Sequence, residues 1–463
     1  MPPQSTYTSS FGPVTPHDLR YAILGFLSSG TYGRVYKARV RQHTSEASPA
    51  GLLGTPSAAT PGKRIKLSRD DGEEEGELVA IKKFKPDKEG EVVTYTGISQ
   101  SACREIMINR EILHVNVAAL REVMLEEKSI YLVFEYAEHD FLVRYLDQDF
   151  RSTMAAAHPN SCCRLKQIIH HHSSTRTQLP LGVLKSLMWQ LTNGVSYLHD
   201  NWIIHRDLKP ANILVNEKGQ VKIGDLGLAR LYQEPLQSLY TSDKIVVTVW
   251  YRSPELLLGA RHYTPSIDIW SIGCIYGELL GLRPMFKGEE AKIDAGTKKG
   301  GVPFQRDQLS RVVEVLGSIS PKDWPAVVQL PEYPQLTRLD RYQDCLSQWF
   351  NSRLQRGAPP SLAYDLMRKL LIYDPAKRIT ARAALCHEWW AQDPKPHANA
   401  FTHLPPPVSY PLRRVSHDDT DPKMSHNTIG KYGSYGASGG NLGLASGLGA
   451  AAAAGARKRS RLE

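Results

Sequence analysis

Alternating apolar and polar positions predict β-strands in the first third of the chain. Residues 21–40 read as strand, turn and strand, and the turn is rich in small residues. Further strands are predicted where 78–82 runs apolar into Lys82 and where 129–137 alternates before a polar linker. Between them, 42–77 is rich in Ala, Gly, Pro, Ser and Thr and then in charged residues. Such a segment cannot bury enough apolar area to fold, so we predict a disordered insertion.

Helical spacing predicts a two-faced helix at 101–113. Its first face carries Ala102, Glu105, Ile108 and Ile112. A second apolar stripe carries Cys103, Ile106 and Met107. A helix that is apolar on two faces needs two surfaces to pack against. We therefore expect the small sheet on one side and a partner protein on the other.

Several later helices are predicted from the same spacing. Apolar residues recur at helical intervals over 184–198, and 267–280 is apolar almost all round. Helical patterns follow at 366–371 and 381–390, whereas 289–303 is predicted to be a loop or a short helix. The second half of the chain is therefore expected to be mainly helical.

Composition sets the predicted domain boundaries. We expect a flexible leader over 1–20, an ordered domain over 21–395 and a low-complexity, disordered tail over 396–463. A polar loop insertion is predicted at 151–178. Its three histidines at 170–172 do not suggest a metal site, because successive residues cannot easily converge on one ion.

Charge and cysteine content bound the class of protein. The 463 residues are 41% hydrophobic and carry a formal charge of +10, which fits acidic partners or simply a solvated surface. Basic runs at 63–66 and 457–461 are candidate nuclear import signals, although the first fits a charged linker equally well. Six scattered cysteines without ligand spacing predict free thiols in a reducing compartment. We find no signal peptide and no apolar run long enough to span a bilayer.

The stretch 202–230, WIIHRDLKPANILVNEKGQVKIGDLGLAR, carries the richest chemistry in the sequence. Asp207, Lys209, Asn212 and Asp225 could together hold Mg²⁺ ions and a phosphoryl acceptor, since Mg²⁺ prefers hard oxygen ligands. The pattern H-R-D-L-K-P-x-N followed by D-x-G resembles the catalytic and metal loops of eukaryotic protein kinases.

This resemblance implies a fold and a role for each residue. It implies an α+β, bilobal fold, with a β-rich small lobe over 21–137 and a mainly helical large lobe over 138–395. Asp207 would accept or orient the proton of the substrate hydroxyl, and Lys209 would neutralise charge on the phosphoryl group. The metal ligands would be Asn212 and Asp225, and the cofactors would be ATP and Mg²⁺.

The resemblance also assigns the ATP-binding residues. The motif S-x-G-x-x-G-x-V beginning at Ser28 is similar to the kinase glycine-rich loop, with serine in place of the first glycine. V-A-I-K makes Lys82 the phosphate-binding lysine and Glu105 its ion-pair partner. Backbone groups of Glu135 and Ala137 would bond the adenine edge. The implied ATP-binding set is Leu27, Ser28, Ser29, Gly30, Thr31, Tyr32, Gly33, Arg34, Val35, Lys82, Glu135 and Ala137.

Residues 246–255, VVTVWYRSPE, resemble the cyclin-dependent kinases and imply proline-directed specificity. In that family, an arginine in the position of Arg252 engages the backbone carbonyl in the position of Val247. No acceptor then remains for a substrate N–H after the phosphorylated residue, and proline lacks that N–H. By the same resemblance, Glu255 is expected to pair with Arg378.

Three further segments resemble the Mediator-associated, cyclin-C-dependent branch of that family: SACRE at 101–105, YAEHD at 136–140 and LLLGARHYT at 256–264. The insertion at 42–77 and the glycine-rich tail resemble the fungal versions of that branch. The resemblance implies a cyclin C-like partner on the helix at 101–113, other Mediator kinase-module subunits, and nuclear substrates including transcription factors and the RNA polymerase II C-terminal domain. Two alternatives stay open: a scaffold that binds cyclin and Mediator without catalysis, and a direct nucleic-acid binder, although no base-reading motif is present.

One departure from most cyclin-dependent kinases concerns activation. Asp243 stands where relatives carry an activating phosphothreonine, and by resemblance Arg104, Arg206 and Arg230 would gather around it. We hypothesise that Asp243 partly replaces the phosphate, which carries about −1.5 to −2 charges against −1 for aspartate. The alternative is that Thr241 or Ser242 is phosphorylated instead.

Overall fold

The computed structural model describes residues 20–29, 33–41, 76–84, 100–126, 129–140, 168–232, 249–260, 262, 264–289, 304–353, 361–404, 409–410, 412–413 and 415. The predictions for residues 1–19 of the leader, for 42–75, for the two basic runs, for Val247 and for Asp243 lie outside these residues. None of the described helices is both long enough and apolar enough to cross a lipid bilayer. The cysteines of the described part, Cys103, Cys274, Cys345 and Cys386, are free.

The small lobe is built on a five-stranded antiparallel sheet. Its strands are β1 Tyr21–Ser29, β2 Gly33–Val40, β3 Leu78–Phe84, β4 Leu120–Glu126 and β5 Ser129–Glu135, in the order β1-β2-β3-β5-β4. Helix α1, Gln100–Glu111, connects β3 to β4 in the described chain. One face of the sheet buries a cluster around Val79 and Ile81, while Leu132 packs with Ala102 of α1 in a second cluster. Burial of these apolar side chains therefore holds α1 against the sheet.

The large lobe is mainly helical. Its helices are α2 Ile168–Thr175, α3 Leu181–Asp200, α4 Pro254–Leu257, α5 Ser266–Gly281, α6 Arg306–Leu316, α7 Leu346–Asn351, α8 Ser361–Leu370 and α9 Ala381–Leu385. Short 3₁₀ turns occur at Pro210–Asn212, Leu226–Leu228, Val249–Tyr251, Pro325–Gln329, Tyr333–Arg338, Glu388–Ala391 and Ala400–His403. Helices α3 and α5 form the centre of the lobe, as the sequence predicts, because their apolar residues face neighbours on nearly every side.

Five short strands carry the loops between the lobes. They are β6 His139–Asp140, β7 Ile203–Ile204, β8 Ile213–Val215, β9 Val221–Ile223 and β10 Arg230–Leu231. Strands β6, β8 and β9 form one sheet, and β7 pairs with β10 in another. Strand β7 pairs antiparallel with β10, and β8 pairs antiparallel with β9. These pairings bring residues that are distant along the stretch 202–230 side by side.

The prediction that 151–178 is wholly a polar loop is wrong over its last part. Residues 168–175 form α2, in which Ile168 and Ile169 are fully buried. His172 is also buried, and its two ring nitrogens lie 2.9 Å from the hydroxyls of Thr177 and Tyr410. Burial, followed by the neighbouring His171, lowers the pKa of His172 to about 4. The neutral imidazole can donate one hydrogen bond and accept another, so both ring nitrogens are satisfied in the interior. A helix can therefore be buried here although its sequence is polar.

The boundary predicted at residue 395 is also wrong, because described residues beyond it contact the rest of the domain. We call these residues the strap: 396–404, 409–410 and 412–413. The backbone N–H of Ala400 donates to Gly219 O (3.0 Å), and Tyr410 is buried. At the end of the strap, the N–H of Arg413 donates to Glu138 O (2.7 Å) and its Nε lies 3.5 Å from Asp140 Oδ2. The strap contains an aromatic side chain that can be buried, Tyr410. The glycine- and alanine-rich sequence that follows has few side chains of that size.

We expect the buried ring of Tyr410 to hold the strap in place. Tyr410→Ala should lower the free energy of unfolding by about 3 kcal/mol, because a buried aromatic side chain is deleted. Tyr410→Phe keeps the ring, loses only the bond to His172 and should cost about 1 kcal/mol. Urea denaturation of both variants measures the difference. Equal losses would contradict the assignment of this stability to the ring.

Candidate active site

Lys82 joins the two lobes at the centre of the site. Its Nζ lies 2.7 Å from Glu105 Oε2 of α1 and 2.8 Å from Asp225 Oδ1, which follows β9. The contact that the sequence predicts between Lys82 and Glu105 is therefore present, and α1 is oriented with Glu105 fully buried. Lys82 lies on β3 opposite Val35 of β2, so the sheet register fixes its direction.

The electrostatics of this trio keep Lys82 and Asp225 charged. Burial alone would lower the pKa of Lys82, but Asp225 and Glu105 outweigh it and raise the pKa above its usual value. Burial raises the pKa of Asp225, yet the charge and hydrogen bond of Lys82 bring it down to about 2. Burial raises the pKa of Glu105, with Lys82 opposing it. Asp225 is therefore the carboxylate of this trio that holds its negative charge most firmly.

Asp207 is fixed by two residues from its own loop. Lys209 Nζ donates to Asp207 Oδ2 at 2.7 Å, and Asn212 Nδ2 donates to the same oxygen at 3.1 Å and to Asp207 O at 2.8 Å. Asn212 is positioned by the 3₁₀ turn Pro210–Asn212, whose first proline suits a helical start. Asp207 is 7% exposed. The structure thus brings together the lysine, the asparagine and the carboxylate that the motif predicts.

The backbone of this loop is held by Asp268, a residue that sequence reasoning missed. Asp268 lies in the first turn of α5, is buried, and accepts from the N–H groups of His205 (2.8 Å) and Arg206 (2.9 Å). Arg206 adopts φ +70°, a left-handed conformation that costs a non-glycine residue free energy. Burial raises the pKa of Asp268, but the hydrogen bond from His199 and the neighbouring histidines lower it overall. A permanently charged acceptor therefore stabilises the strained turn.

His205 itself bridges the two halves of the site. Its Nδ1 accepts from the N–H of Asp207 (3.2 Å), so its Nε2 carries the proton and donates to Gly224 O (3.0 Å). Asp225 comes next and has φ +59°, again left-handed. The imidazole thus couples the loop of Asp207 to the loop of Asp225.

The donor set fits a hard divalent metal. Asn212 uses its Nδ2 for Asp207, so its amide oxygen is turned away from that bond. Asp225 has its side chain 39% exposed, and Lys82 occupies its Oδ1. The N–H of Gly224, which precedes Asp225, donates to the backbone carbonyl of Asn212 (2.9 Å), so the two residues are brought close along the backbone. A carboxylate and an amide oxygen are ligands that suit Mg²⁺. Asn212 and Asp225 could therefore hold such an ion.

The predicted nucleotide-binding residues are only partly within the described chain. Leu27, Ser28 and Ser29 end β1, and Gly33, Arg34 and Val35 begin β2. Ser28 and Ser29 lie opposite Val35 and Arg34, whereas Leu27 falls at a register shift between the strands. Gly30, Thr31 and Tyr32 lie outside the described residues. Gly33 has a structural requirement of its own, because a Cβ there would clash with the carbonyl oxygen of Lys83. Glu135 and Ala137 lie at the junction of the lobes, and Ala137 is 2% exposed.

Residues 249–255 are anchored to the large lobe. The predicted pair forms as a bidentate contact: Arg378 Nη1 donates to Glu255 Oε1 (2.8 Å) and Nη2 to Oε2 (2.9 Å). Tyr251 is held to α5 by its hydroxyl on Glu278 (2.6 Å) and by Ser271 on its carbonyl (2.9 Å). The segment 249–255 is therefore rigidly attached to the core of the large lobe.

The outer face of α1 is partly exposed. Met107 is 69% exposed and Cys103 is also exposed, as the two-faced pattern predicts. Ile106 was expected on the same stripe, but it packs against the cluster around Leu132 instead. The reason is its spacing of four from Ala102, which points inward. Leu113, at 80% exposure, extends the apolar surface beyond the helix.

Arginines predicted to surround Asp243 lie near the turn that follows Asp225. Arg104 Nη1 donates to Gly227 O (3.0 Å), and Arg206 Nη1 donates to Leu228 O (3.2 Å). Both side chains therefore reach the same turn from α1 and from the catalytic loop. The role of Asp243 stays a prediction.

A model of the protein kinase domain matches residues 71–390, and the chain belongs to that family. The small lobe, the helical large lobe and the trio around Lys82 agree with this assignment. More particularly, the chain is similar to fungal proteins that bear the name Serine/threonine-protein kinase SSN3. The one from Mycosarcoma maydis is 49% identical over 492 residues, covering 88% of this chain and 64% of the relative. The Yarrowia lipolytica protein is 46% identical (90% and 88% covered), and the Aspergillus niger protein is 45% identical (91% and 88% covered).

Family and relatives together define the reaction class. The chain is a protein serine/threonine kinase, which transfers a phosphoryl group from ATP to a protein hydroxyl. It spans about two thirds of the length of the Mycosarcoma maydis relative.

Proposed function

We propose that this kinase depends on a cyclin C-like partner, belongs to the Mediator kinase module in the nucleus, and uses Mg²⁺ with ATP. Its substrates in this proposal are Ser/Thr-Pro sites of the RNA polymerase II C-terminal domain and of transcription factors. The observation that carries the proposal is that α1 bears Glu105 on its buried face and Met107 on its exposed face. One helix thus links an apolar docking surface to the catalytic lysine.

The chain's own residues support phosphoryl transfer by positioning and charge. Asp207 accepts the hydrogen bond of the substrate hydroxyl and orients its oxygen toward the phosphoryl group. Lys209, which bonds Asp207, offsets negative charge that develops during transfer. Lys82, kept cationic by its two carboxylates, binds the nucleotide phosphates. Mg²⁺ held by Asn212 and Asp225 supplies further charge neutralisation when bound.

The partner acts on an arrangement that the chain already adopts. In the single chain, Glu105 and Lys82 already form their ion pair at 2.7 Å. In the proposal, the partner therefore stabilises this position of α1 against alternatives instead of creating it. Activity should be low for the free chain and rise when the partner buries the outer face of α1.

Met107→Asp tests this proposal. A charge in the centre of an apolar contact should weaken binding of a purified cyclin C-like protein by about 30-fold and reduce activation in proportion. Calorimetry measures binding, and phosphorylation of a Ser-Pro repeat peptide measures activation. The matched control is Val328→Asp, which alters an exposed apolar residue of the large lobe. Equal activity of the wild type with and without cyclin would refute the proposal.

A further inference from the structure

The side chain of Glu135 connects three elements where the lobes meet. Glu135 is the last residue of β5. Its Oε1 accepts from the N–H of Ala119 (2.8 Å) and from Lys222 Nζ (2.9 Å), and its Oε2 lies 2.8 Å from the same Nζ. The N–H of Glu135 donates back to Ala119 O (3.2 Å). Glu135 is thus tied by backbone and side chain to the segment that precedes β4, and by charge to the large lobe.

Lys222 lies in the middle of β9, three residues before Asp225. Its side chain is 10% exposed and that of Glu135 is 19% exposed, so water screens their ion pair only weakly. Strand β9 is further joined to the segment before β4, because Ala118 N–H donates to Ile223 O (2.8 Å). Any change in the angle between β5 and β9 must therefore stretch or break the Glu135–Lys222 contact.

The Glu135–Lys222 contact lies between the proposed adenine site and the proposed phosphate site. In the proposed function, the adenine bonds the backbone of Glu135 and Ala137, and the phosphates meet Lys82 and Asp225. The peptide N–H and the side chain of Glu135 both bond Ala119, and Asp225 follows the strand that contains Lys222. The relative position of adenine and phosphate sites is therefore set in part by a single buried ion pair.

We propose that the ion pair of Glu135 and Lys222 is a latch between the lobes that fixes the spacing of the nucleotide site and slows nucleotide exchange. Glu135 and Lys222 act as positioning residues, since neither side chain is placed against the reacting atoms. Loss of the latch leaves the catalytic groups around Asp207 intact but lets the adenine and phosphate sites move apart. Nucleotide affinity then falls, whereas the rate of transfer from bound ATP is retained.

The inference rests on the proposed placement of the nucleotide, and not on the identity of the partner. Its test uses the full chain with ATP as the probe. Glu135→Gln keeps the acceptor for Ala119 and removes the charge, and Lys222→Met removes the cation. Each should raise the Kd and KM for ATP by about tenfold and speed dissociation of a fluorescent ATP analogue similarly. In Lys222→Met, whose side chain is outside the proposed binding and catalytic groups, kcat should change less than about twofold. Lys222→Arg, which can restore the pair, should stay near the wild type.

A double-mutant cycle isolates the contact. Glu135→Gln with Lys222→Met should be no weaker in ATP binding than the weaker single variant, because both remove the same interaction. Lys369→Met is the matched control, since its ion pair with Asp365 lies within helix α8 (2.6 Å). Should Lys222→Met fail to fold, Glu135→Gln and Lys222→Arg decide the outcome. The latch would be overturned if Glu135→Gln bound and exchanged ATP as the wild type does, or if the effects in the cycle were additive. The proposed nucleotide site would be overturned if the wild-type chain did not bind ATP.

Discussion

Replacement of Asp207 by asparagine is expected to lower kcat by a factor of about 10²–10⁴ while leaving the fold intact. The substituted amide can still accept from Lys209 and Asn212 through its oxygen, so the loop should keep its geometry. What is lost is the negative charge that accepts the proton of the substrate hydroxyl. Single-turnover phosphorylation of a Ser-Pro peptide, with cyclin present, measures the effect on the chemical step.

The control for this prediction is a neighbouring residue outside the proposed chemistry. Asn216→Ala alters a turn of the same stretch, where its amide bonds Gln220 (2.9 Å), and should leave kcat unchanged. Thermal unfolding of Asp207→Asn should match the wild type. If Asp207→Asn retained full kcat, Asp207 would not be the proton acceptor. If the wild type itself transferred no phosphoryl group, the alternative of a non-catalytic scaffold would gain support.

Replacement of Arg378 by lysine should destabilise the large lobe by about 3–5 kcal/mol, although the charge is conserved. The Arg378 side chain is fully buried, and its five N–H groups have five acceptors. These are Ile372 O, Tyr373 O, Ser266 O and the two oxygens of Glu255. Lysine offers three donors from one point and cannot reach them all, so buried carbonyls and part of a buried carboxylate lose their partners.

Urea denaturation of Arg378→Lys measures this loss of unfolding free energy. Since ordinary domains are stable by only about 5–15 kcal/mol, the variant should lose a large share of its stability. The matched control is Arg382→Lys, because Arg382 pairs with Asp200 at 2.9 Å with its side chain 76% exposed. That substitution should cost less than about 0.5 kcal/mol. A similar small cost at Arg378 would show that the buried network contributes little.

The central site could be predicted from sequence because its residues carry fixed chemistry at fixed spacing. Asp207, Lys209 and Asn212 lie within six positions, and their contacts follow from one tight turn. Lys82 and Glu105 are farther apart, and their pairing was predicted from the resemblance to protein kinases together with the inward position of Glu105 on its helix. Helical periodicity likewise predicted that α3 and α5 lie in the core.

Other features could not be predicted because their function depends on distant backbone atoms. Asp268 acts on the N–H groups of His205 and Arg206, and nothing in an apolar helix marks one acidic residue for that purpose. The strap was wrongly predicted to be part of a disordered tail, because the prediction used the average composition of a long segment. A single buried residue such as Tyr410 can hold such a segment against the domain. Helix α2 was missed for the same reason, since two isoleucines and one neutral histidine outweighed polar neighbours.

The strap also places a constraint on how the chain can fold during synthesis. Arg413 lies 275 positions after Glu138, and its N–H completes the bond to that carbonyl at the junction of the lobes. At about 5–20 residues per second, a ribosome needs roughly 14–55 s to travel from one to the other. During that interval the junction must wait with this carbonyl unpaired by its final partner. A chaperone or a partner of the nascent small lobe therefore has a defined window in which to act before Arg413 reaches the junction of the lobes.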